Sequence, residues 1–389
     1  MITTHLITNH YAPHTGGLEQ WSRDLSNALA GAGLNPLVYV CEDQTDIRGG
    51  AAPQAGVVEI NPLRAPWEAP LTGGAWQNRR LEQERARLTF NCVKGEVTKR
   101  LGPGPNVILS NFLTTAGFTA HLVAEALELP HVPVIAGTDL NRGFRNAIDR
   151  EIILEVCRFA RIVVGKSHEQ VHTIRRRLPD MPCKVIETSV EPPNCRWRKA
   201  VGEEVMIFSD AGFSFKKGTG VLMDAFVALR ARGVAARLEI CGSDQVGHED
   251  YWMMRRRLLQ SDPSLSVTFP GFISPSQIVD RLCASDIYAS ATLGEGASAA
   301  RARALCLGVP MVTTACGELA DPPPVRHIRL VPVGDAAAFH NALCGLAAEL
   351  IAGGVTIDNA AVESFRSRFD PRREWAQWLA LLRQVASLD

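Results

Sequence analysis

The chain has 389 residues, which is long enough for two domains of roughly 150–200 residues each. Hydrophobic residues make up 46% and charged residues 21%, proportions typical of a soluble globular protein, and no apolar run approaches the roughly 20 residues of a membrane-spanning helix. The formal net charge is zero, so no overall field attracts nucleic acid or an acidic membrane. We expect no nucleic-acid partner and, at most, peripheral membrane contact.

The first residues, MITTHLITNHY, predict a strand rather than a signal peptide, because they have neither a charged leader nor an apolar run. The ten cysteines include no Cys-x-x-Cys pair, and most lie in apolar strand or helix segments. In a chain with this much core, these features favour reduced cysteines in a cytoplasmic protein over a disulfide framework.

The first half of the chain alternates strands with helices, which predicts a parallel, doubly wound sheet. An amphipathic helix over 18–32 follows the first strand, with Gly33 as its stop. Strands are predicted at 2–8, 37–41, 57–60, 107–109, 132–135, 161–164 and 183–186.

The segment 191–203 interrupts this alternation, because it is polar, contains proline and shows no periodicity. The alternation then restarts, with a helix over 219–232, another after Ser274, and a third from Ser298 to Leu307 that stops at Gly308. Strands are predicted at 205–209, 237–241, 266–269, 286–290, 309–314 and 327–331. The organisation expected is therefore a domain over 1–190, a linker over 191–203, a domain over 204–368, and a C-terminal helical segment over 369–389 that packs across the domain boundary.

Three short motifs follow predicted strands, where open α/β sheets bind ligands. Gly16-Gly17 opens a helix whose amides favour an anion, although two glycines also suit an ordinary tight turn. Lys216 and Lys217 can neutralise a phosphate, or they can be solvated loop lysines. Glu295 stands between two glycines and can accept hydrogen bonds from sugar hydroxyls; alternatively, it is a favourable charge at the start of the following helix.

The segment His168-Glu169-Gln170-Val171-His172 matches the His-Glu-x-x-His pattern of zinc proteases. Its position just after a predicted strand and the exposed basic residues that follow favour a surface helix instead. A zinc hydrolase built on His168, Glu169 and His172 is kept as a remote alternative.

These motifs together resemble retaining glycosyltransferases of the GT-B fold, over nearly the whole chain. Gly16-Gly17 resembles the family's Gly-Gly loop, and Lys217-Gly218 resembles the end of its Arg-x-x-x-x-Lys-Gly phosphate motif. The turn Pro270–Ile273 resembles the one that contacts the base. Glu295-Gly296 and the run 305–312 resemble parts of its signature of two glutamates separated by seven residues.

The sequence departs from the family at three positions. Arg303 stands in place of the second signature glutamate, which holds ribose hydroxyls in relatives. Gly212 stands in place of the phosphate-motif arginine, and the histidine that relatives have near the reacting sugar falls close to Ala136. In addition, Glu318 follows Gly317 where relatives have a second glycine. Our hypothesis is that Arg303 contacts donor phosphate or another charged donor group.

The resemblance implies an α/β fold of two Rossmann-like, doubly wound parallel-sheet domains that face a cleft. It implies glycosyl transfer from a nucleotide sugar, with retention, to a sugar, lipid-linked or small-molecule acceptor, without a metal or other cofactor. A non-catalytic relative that binds nucleotide or sugar at a degenerate site is the alternative. The residues expected at the catalytic centre are Glu295, Lys217 and Asp139; at the donor, Gly16, Gly17, Lys216, Lys217, Phe272, Ile273, Glu295, Gly296 and Arg303; and at the acceptor, His14, Thr138 and Asp139.

Overall fold

The computed structural model describes residues 1–9, 11, 17–41, 56–59, 75–137, 139–198, 204–245, 247–320 and 325–387. The chain divides into two compact units. Unit 1 comprises Met1–Glu187 and Glu374–Asp389, and unit 2 comprises Thr188–Arg373.

Unit 1 is built on a seven-stranded parallel sheet in the order β3-β2-β1-β4-β5-β6-β7. Its inner strands are buried, as expected when helices cover both faces. The buried polar residue His5 is accommodated by hydrogen bonds to the Tyr39 hydroxyl at 2.9 Å and the Asn106 side-chain oxygen at 3.0 Å. The strands are β1 (Thr3–Thr8), β2 (Asn35–Val40), β3 (Val57–Glu59), β4 (Asn106–Asn111), β5 (His131–Val134), β6 (Val163–Gly165) and β7 (Cys183–Val185).

Unit 2 is built on a six-stranded parallel sheet in the order β10-β9-β8-β11-β12-β13. The inner strands β8, β11 and β12 are buried throughout, whereas the edge strand β10 alternates exposed and half-buried residues. These strands are β8 (Val205–Ser209), β9 (Ala236–Cys241), β10 (Ser266–Gly271), β11 (Ile287–Ser290), β12 (Met311–Thr314) and β13 (Ile328–Val331).

Helices connect the strands in both units, and their apolar faces complete the cores. The helices of unit 1 are α1 (Gly17–Gly31), α2 (Ala75–Lys99), α3 (Thr115–Ala126), α4 (Ala147–Phe159) and α5 (His168–Arg175). Unit 2 contains α6 (Thr219–Ala231), α7 (Glu249–Gln260), α8 (Pro275–Ala284), α9 (Ala299–Leu307), α10 (Ala336–Ile351) and α11 (Asn359–Arg368), and α12 (Pro371–Ala386) ends the described chain. None of the helices in the described ranges is both long and apolar enough to cross a membrane.

The prediction of two doubly wound parallel sheets is confirmed, and every predicted strand is present with ends that shift by at most a few residues. Local capping interactions explain why the predicted start of helix α8 and the predicted end of helix α9 were also correct. The Ser274 hydroxyl accepts from the Gln277 amide in a reciprocal capping box, and Gly308 ends α9 with φ of 78°. Cys195 and Cys283 lie next to each other, but their Cα atoms are 7.4 Å apart, which is beyond the range that a disulfide spans, so the expectation of reduced cysteines stays a prediction.

The end of the chain returns to the core of unit 1. Trp378 of α12 is buried beside Trp21 of α1, with ring centroids 5.7 Å apart. The Trp21 indole donates to a carboxylate oxygen of Glu374 at 2.7 Å, so the buried acid at the start of this contact has a hydrogen-bond partner. The interaction explains why residues 374–389 group with unit 1 although they lie at the opposite end of the sequence.

The segment predicted as a linker is described over 191–198. There the main-chain amide of Trp197 donates to the Leu307 oxygen at 2.9 Å, and its indole donates to the Ser285 oxygen at 2.8 Å. These residues are therefore attached to unit 2 by specific hydrogen bonds.

Candidate functional site

The candidate site of unit 2 lies at the carboxyl ends of β8 and β11. These neighbouring strands mark the point where the strand order reverses, because β8 continues to β9 on one side and β11 to β12 on the other. In open α/β sheets, ligands bind in the crevice at such a switch point. The two segments that leave these strands carry Lys216, Lys217 and Glu295, the charged residues singled out from the sequence.

The structure brings Lys217 and Glu295 together. The lysine Nζ lies 2.5 Å from Glu295 Oε1, and the side chains are 35% and 9% exposed. Burial opposes the charge of Lys217, but the facing carboxylate outweighs it and raises the lysine pKa. Burial also disfavours the Glu295 carboxylate, yet Lys217, with further help from Arg301 and Lys216, lowers its pKa. Both groups are therefore charged near neutral pH.

Main-chain hydrogen bonds join the two loops that carry this pair. The Leu293 amide donates to the Lys216 oxygen at 2.7 Å, and the Thr292 hydroxyl lies 3.3 Å from both that oxygen and Glu295 Oε1. The Thr314 hydroxyl, at the end of β12, donates to the Thr292 oxygen at 2.6 Å. Three adjacent strand ends thus hold the loop that presents Glu295.

Glycine is required where the Lys217 loop turns into α6. Gly218 has φ of 66°, and an added Cβ would lie 2.0 Å from the Ala291 main-chain oxygen. Only glycine permits this close approach between the β8 and β11 exits, which brings Lys217 within reach of Glu295.

Gly212, where the family has an arginine, is also constrained. Its φ is 63°, and an added Cβ would lie 3.0 Å from the Ser243 oxygen. A Cβ on the neighbouring Gly242 would lie 2.5 Å from Gly212 Cα. The missing arginine is therefore accompanied by a backbone conformation that disfavours any side chain there.

A buried ion pair beneath the Glu295 loop was not foreseen from the sequence. Arg301 is fully buried, and its guanidinium meets the Glu318 carboxylate in two bonds of 2.9 Å each. It also donates to the Cys316 oxygen at 3.0 Å. Burial opposes the charge of Arg301, but Glu318 outweighs burial and raises the arginine pKa. The available signal was a pair of arginines in an otherwise apolar predicted helix together with a glutamate in place of the second glycine.

Arg303 lies on the same helix as Arg301 but has, among the described residues, no carboxylate partner of the kind that Glu318 provides to Arg301. It forms no hydrogen bond or ion pair with the described part of the chain, and burial lowers its pKa while the charge of Asp210 raises it. Asp210 follows β8 directly, and one of its carboxylate oxygens accepts from the Tyr288 hydroxyl at 2.6 Å. Neither Asp210 nor Tyr288 was selected from the sequence.

The turn expected to contact the base lies at the end of β10. Phe272 is 63% exposed, whereas Ile273 is partly buried against the core around α9. The Gly271 oxygen accepts from the Gly242 amide at 2.8 Å, which joins this turn to the end of β9. The turn is therefore on the same carboxyl edge of the sheet as Lys217. Gly296 is buried in the Glu295 loop.

The candidates in unit 1 are only partly described. Gly16, His14 and Thr138 lie outside the described residues, while Gly17 is exposed at the first position of α1. Asp139 is buried, and one of its oxygens accepts from the amides of Leu113 at 2.9 Å and Ala136 at 3.2 Å. Burial raises the Asp139 pKa, and these amides act in the opposite direction. In the described part of the chain, Asp139 therefore anchors the loops that follow β4 and β5.

Two further features of unit 1 were not predicted. Phe112 and Thr115, after β4, have φ of 67° and 32°, a strained region for residues other than glycine that is often found at functional sites. Lys166, after β6, is 7% exposed, and its ammonium lies 3.9 Å from the Trp21 ring centroid. Burial lowers the Lys166 pKa to about 8, although Glu374 and Asp139 act in the opposite direction.

The His-Glu-x-x-His segment forms a helix on the surface of unit 1. His168 and His172 of α5 are exposed, whereas Val171 and Ile174 face the core. Across the residues that the structure describes, no group of three His, Cys, Asp or Glu side chains is arranged to hold a metal ion. The zinc-hydrolase alternative therefore has no third ligand within that part of the chain.

The comparison with known families bears on unit 2. Residues 204–349 match the family model described as Glycosyl transferases group 1. The matched segment covers somewhat less than half of the chain and includes Lys217, Glu295 and Arg303. No curated protein sequence matches the chain.

Solved structures match the chain over almost its full length. Sucrose-phosphate synthase from Thermosynechococcus elongatus has a TM-score of 0.75 at 18% identity, with 100% of each chain covered. The Anabaena protein HepE in complex with UDP-glucose has a TM-score of 0.71 at 16% identity, covering 99% of this chain and 100% of its own. The lipopolysaccharide outer core galactosyltransferase WaaB has a TM-score of 0.70 at 13% identity, with 97% and 98% covered. At these identities the likeness shows the fold alone. The chain has the GT-B fold.

Proposed function

We propose that this protein is a glycosyltransferase that moves a sugar from a nucleotide-sugar donor to a hydroxyl or other nucleophile of an acceptor. The observation that carries the proposal is the Lys217–Glu295 pair at the switch point of a unit that matches glycosyl transferases group 1. The solved neighbours named with UDP and UDP-glucose support a nucleotide sugar as the donor.

Lys216 and Lys217 supply the positive charge that a departing nucleoside diphosphate needs. Charge develops on the leaving phosphate during transfer, and preorganised cations lower the barrier most when they already face that position. Lys217 is held in place by Glu295 and by the tight turn at Gly218, so little reorganisation is needed when the donor arrives. With glycine at position 212, these lysines carry the charge that an arginine shares in the family pattern.

Glu295 serves two purposes in this proposal. Its Oε1 pairs with Lys217, and its remaining acceptor capacity is available for sugar hydroxyls. Because its pKa is lowered, the side chain remains an acceptor rather than a donor over the neutral range. The loop bonds to Lys216 fix the direction in which that acceptor points.

Retention of the anomeric configuration follows from the family resemblance, in which the leaving phosphate helps to deprotonate the acceptor on the same face. Such a mechanism requires no dedicated base from the protein. The acceptor belongs to unit 1 in this proposal, near Asp139. A sugar, a lipid-linked sugar and a small molecule are all compatible acceptor classes.

The test begins with a panel of UDP, GDP and ADP and their common nucleotide sugars. Thermal unfolding identifies the base and sugar, since a ligand at 100 times its dissociation constant stabilises the native state by about 2.7 kcal/mol. Release of nucleoside diphosphate from the selected donor then measures turnover. Donor-dependent stabilisation together with release supports the proposal, and neither effect with any donor refutes it.

Lys217→Met provides the site-specific test. Loss of one charge that faces the leaving phosphate is expected to reduce turnover by about 100- to 1,000-fold. Lys99→Met is the matched control, because Lys99 is an exposed lysine of α2 paired only on the surface with Glu96. Equal effects of the two changes would contradict the assignment. Donor binding without any release would instead favour the non-catalytic alternative.

A further inference from the structure

Asp210 is placed at the centre of the switch point. It is the first residue after β8, and its partner Tyr288 belongs to β11, so their 2.6 Å hydrogen bond spans the two strands between which the sheet order reverses. Tyr288 is 1% exposed, which fixes the phenol, whereas Asp210 remains partly exposed. One carboxylate oxygen is thus anchored to the fold while the side chain stays accessible.

The other oxygen of Asp210 makes no hydrogen bond with the residues the structure describes. An ionised carboxylate accepts at both oxygens, so this one retains its full capacity for hydroxyl donors. Two cations are close enough to feel this group, because the charge of Asp210 acts to raise the pKa of both Lys217 and Arg303. Asp210 is thus a fixed hydrogen-bond acceptor near Lys217, the proposed phosphate-binding lysine, and the positive charge of Arg303 balances its negative charge.

Hydroxyl pairs that lie next to a diphosphate are the natural partners of such a group. In sheets of this class, an acidic side chain near the strand ends binds the ribose hydroxyls of a nucleotide whose phosphates occupy the adjacent loop. We propose that Asp210 binds the ribose hydroxyls of the donor nucleotide, and that Arg303 positions it by balancing its charge. This inference rests on the proposed function.

The assignment explains the departure at position 303. A ribose-binding carboxylate at position 303 of α9 is dispensable if Asp210, at the end of β8, supplies one. An arginine at position 303 is then favourable, because its charge is opposite to that of Asp210. Asp210 is thereby a specificity-determining residue, since it distinguishes a ribonucleotide from its 2′-deoxy counterpart.

The experiment measures that distinction. UDP, GDP and ADP are titrated against the full chain by calorimetry, and the tightest is compared with its 2′-deoxy form. The wild-type protein is expected to bind the ribonucleotide about tenfold to hundredfold more tightly, because a hydrogen bond to a charged acceptor is lost. Asp210→Asn is expected to reduce this ratio about tenfold, since a neutral acceptor remains.

Two further variants control the result. Tyr288→Phe removes the anchor of Asp210 without removing the carboxylate and is expected to lower the ratio less. Asp280→Asn, an exposed aspartate of α8, is expected to leave it unchanged. Thermal unfolding of each variant verifies that the fold is intact.

The outcomes separate this inference from the proposed function. If the wild-type protein binds a nucleotide and Asp210→Asn keeps the full ribose preference, the inference is wrong while the proposed function stands. If Asp210→Asn weakens only a nucleotide sugar and not the free nucleotide, the carboxylate binds the transferred sugar, and the ribose assignment is again overturned. If the wild-type protein binds no nucleotide at all, the proposed function itself fails.

Discussion

Breaking the buried pair between Arg301 and Glu318 should destabilise unit 2 severely. Glu318→Gln keeps the shape of the side chain but removes the carboxylate that is hydrogen-bonded to the fully buried Arg301 guanidinium, and leaves only the more distant charge of Glu295. One of the two 2.9 Å bonds is lost, and the other becomes a bond to a neutral acceptor. Removal of one partner from a buried pair costs about 3–5 kcal/mol, because the remaining charge cannot be rehydrated.

The assay is thermal unfolding of the full chain. For a unit of this size, about 1 kcal/mol corresponds to roughly 2–4 °C, so the midpoint for unit 2 should fall by about 6–20 °C. Glu349→Gln is the matched control, since its pairing with Arg329 is between side chains 48% and 30% exposed and contributes at most about 1 kcal/mol. A midpoint for Glu318→Gln within the shift of that control would refute the reasoning.

Three further predictions concern single positions. Gly218→Ala should lower the unfolding midpoint because its Cβ would lie 2.0 Å from the Ala291 oxygen, whereas Gly220→Ala, with open space around it, should stabilise α6 by up to about 1 kcal/mol; equal midpoints would contradict the packing argument. The lowered pKa of Lys166, about 8 against 10.5, means that the unfolded chain binds more protons between these values, so native stability should rise with pH through that window by up to about 3 kcal/mol. Denaturant titrations at about pH 8 and pH 10.5 should show this rise in stability in the wild type and not in Lys166→Met. A parallel rise in both proteins would exclude Lys166 as its cause. Arg303→Glu should reduce donor turnover by about tenfold or more, because it places a second carboxylate beside Asp210, and increased turnover with an ordinary nucleotide sugar would oppose a role for the cation.

The fold was readable from the sequence because its determinants are local. Buried parallel strands appear as short apolar runs, and the ends of α9 are set by the Ser298 hydroxyl and the left-handed Gly308. Neither signal depends on residues distant in the chain. Helices α2, α3, α4, α7, α10 and α11 were covered only by the general alternation and were not given bounds.

The site was only partly readable, because its decisive contacts join distant residues. Lys217 and Glu295 were selected separately, yet their contact across 78 positions emerges only from the fold. The Arg301–Glu318 pair joins a helix to a later loop. Arg303 was recognised as a departure from the family pattern, but its electrostatic environment includes Asp210, which precedes it by half the length of unit 2.

The close contact between Gly212 and Gly242 also couples the chain segments that leave β8 and β9. An arginine at 212 would adopt a left-handed backbone and press against the Ser243 oxygen, while a side chain at 242 would collide with Gly212 itself. A side chain at either position therefore requires the other segment to move. The two strand exits behave as one rigid backbone unit, and substitutions in this part of the site must be made in pairs.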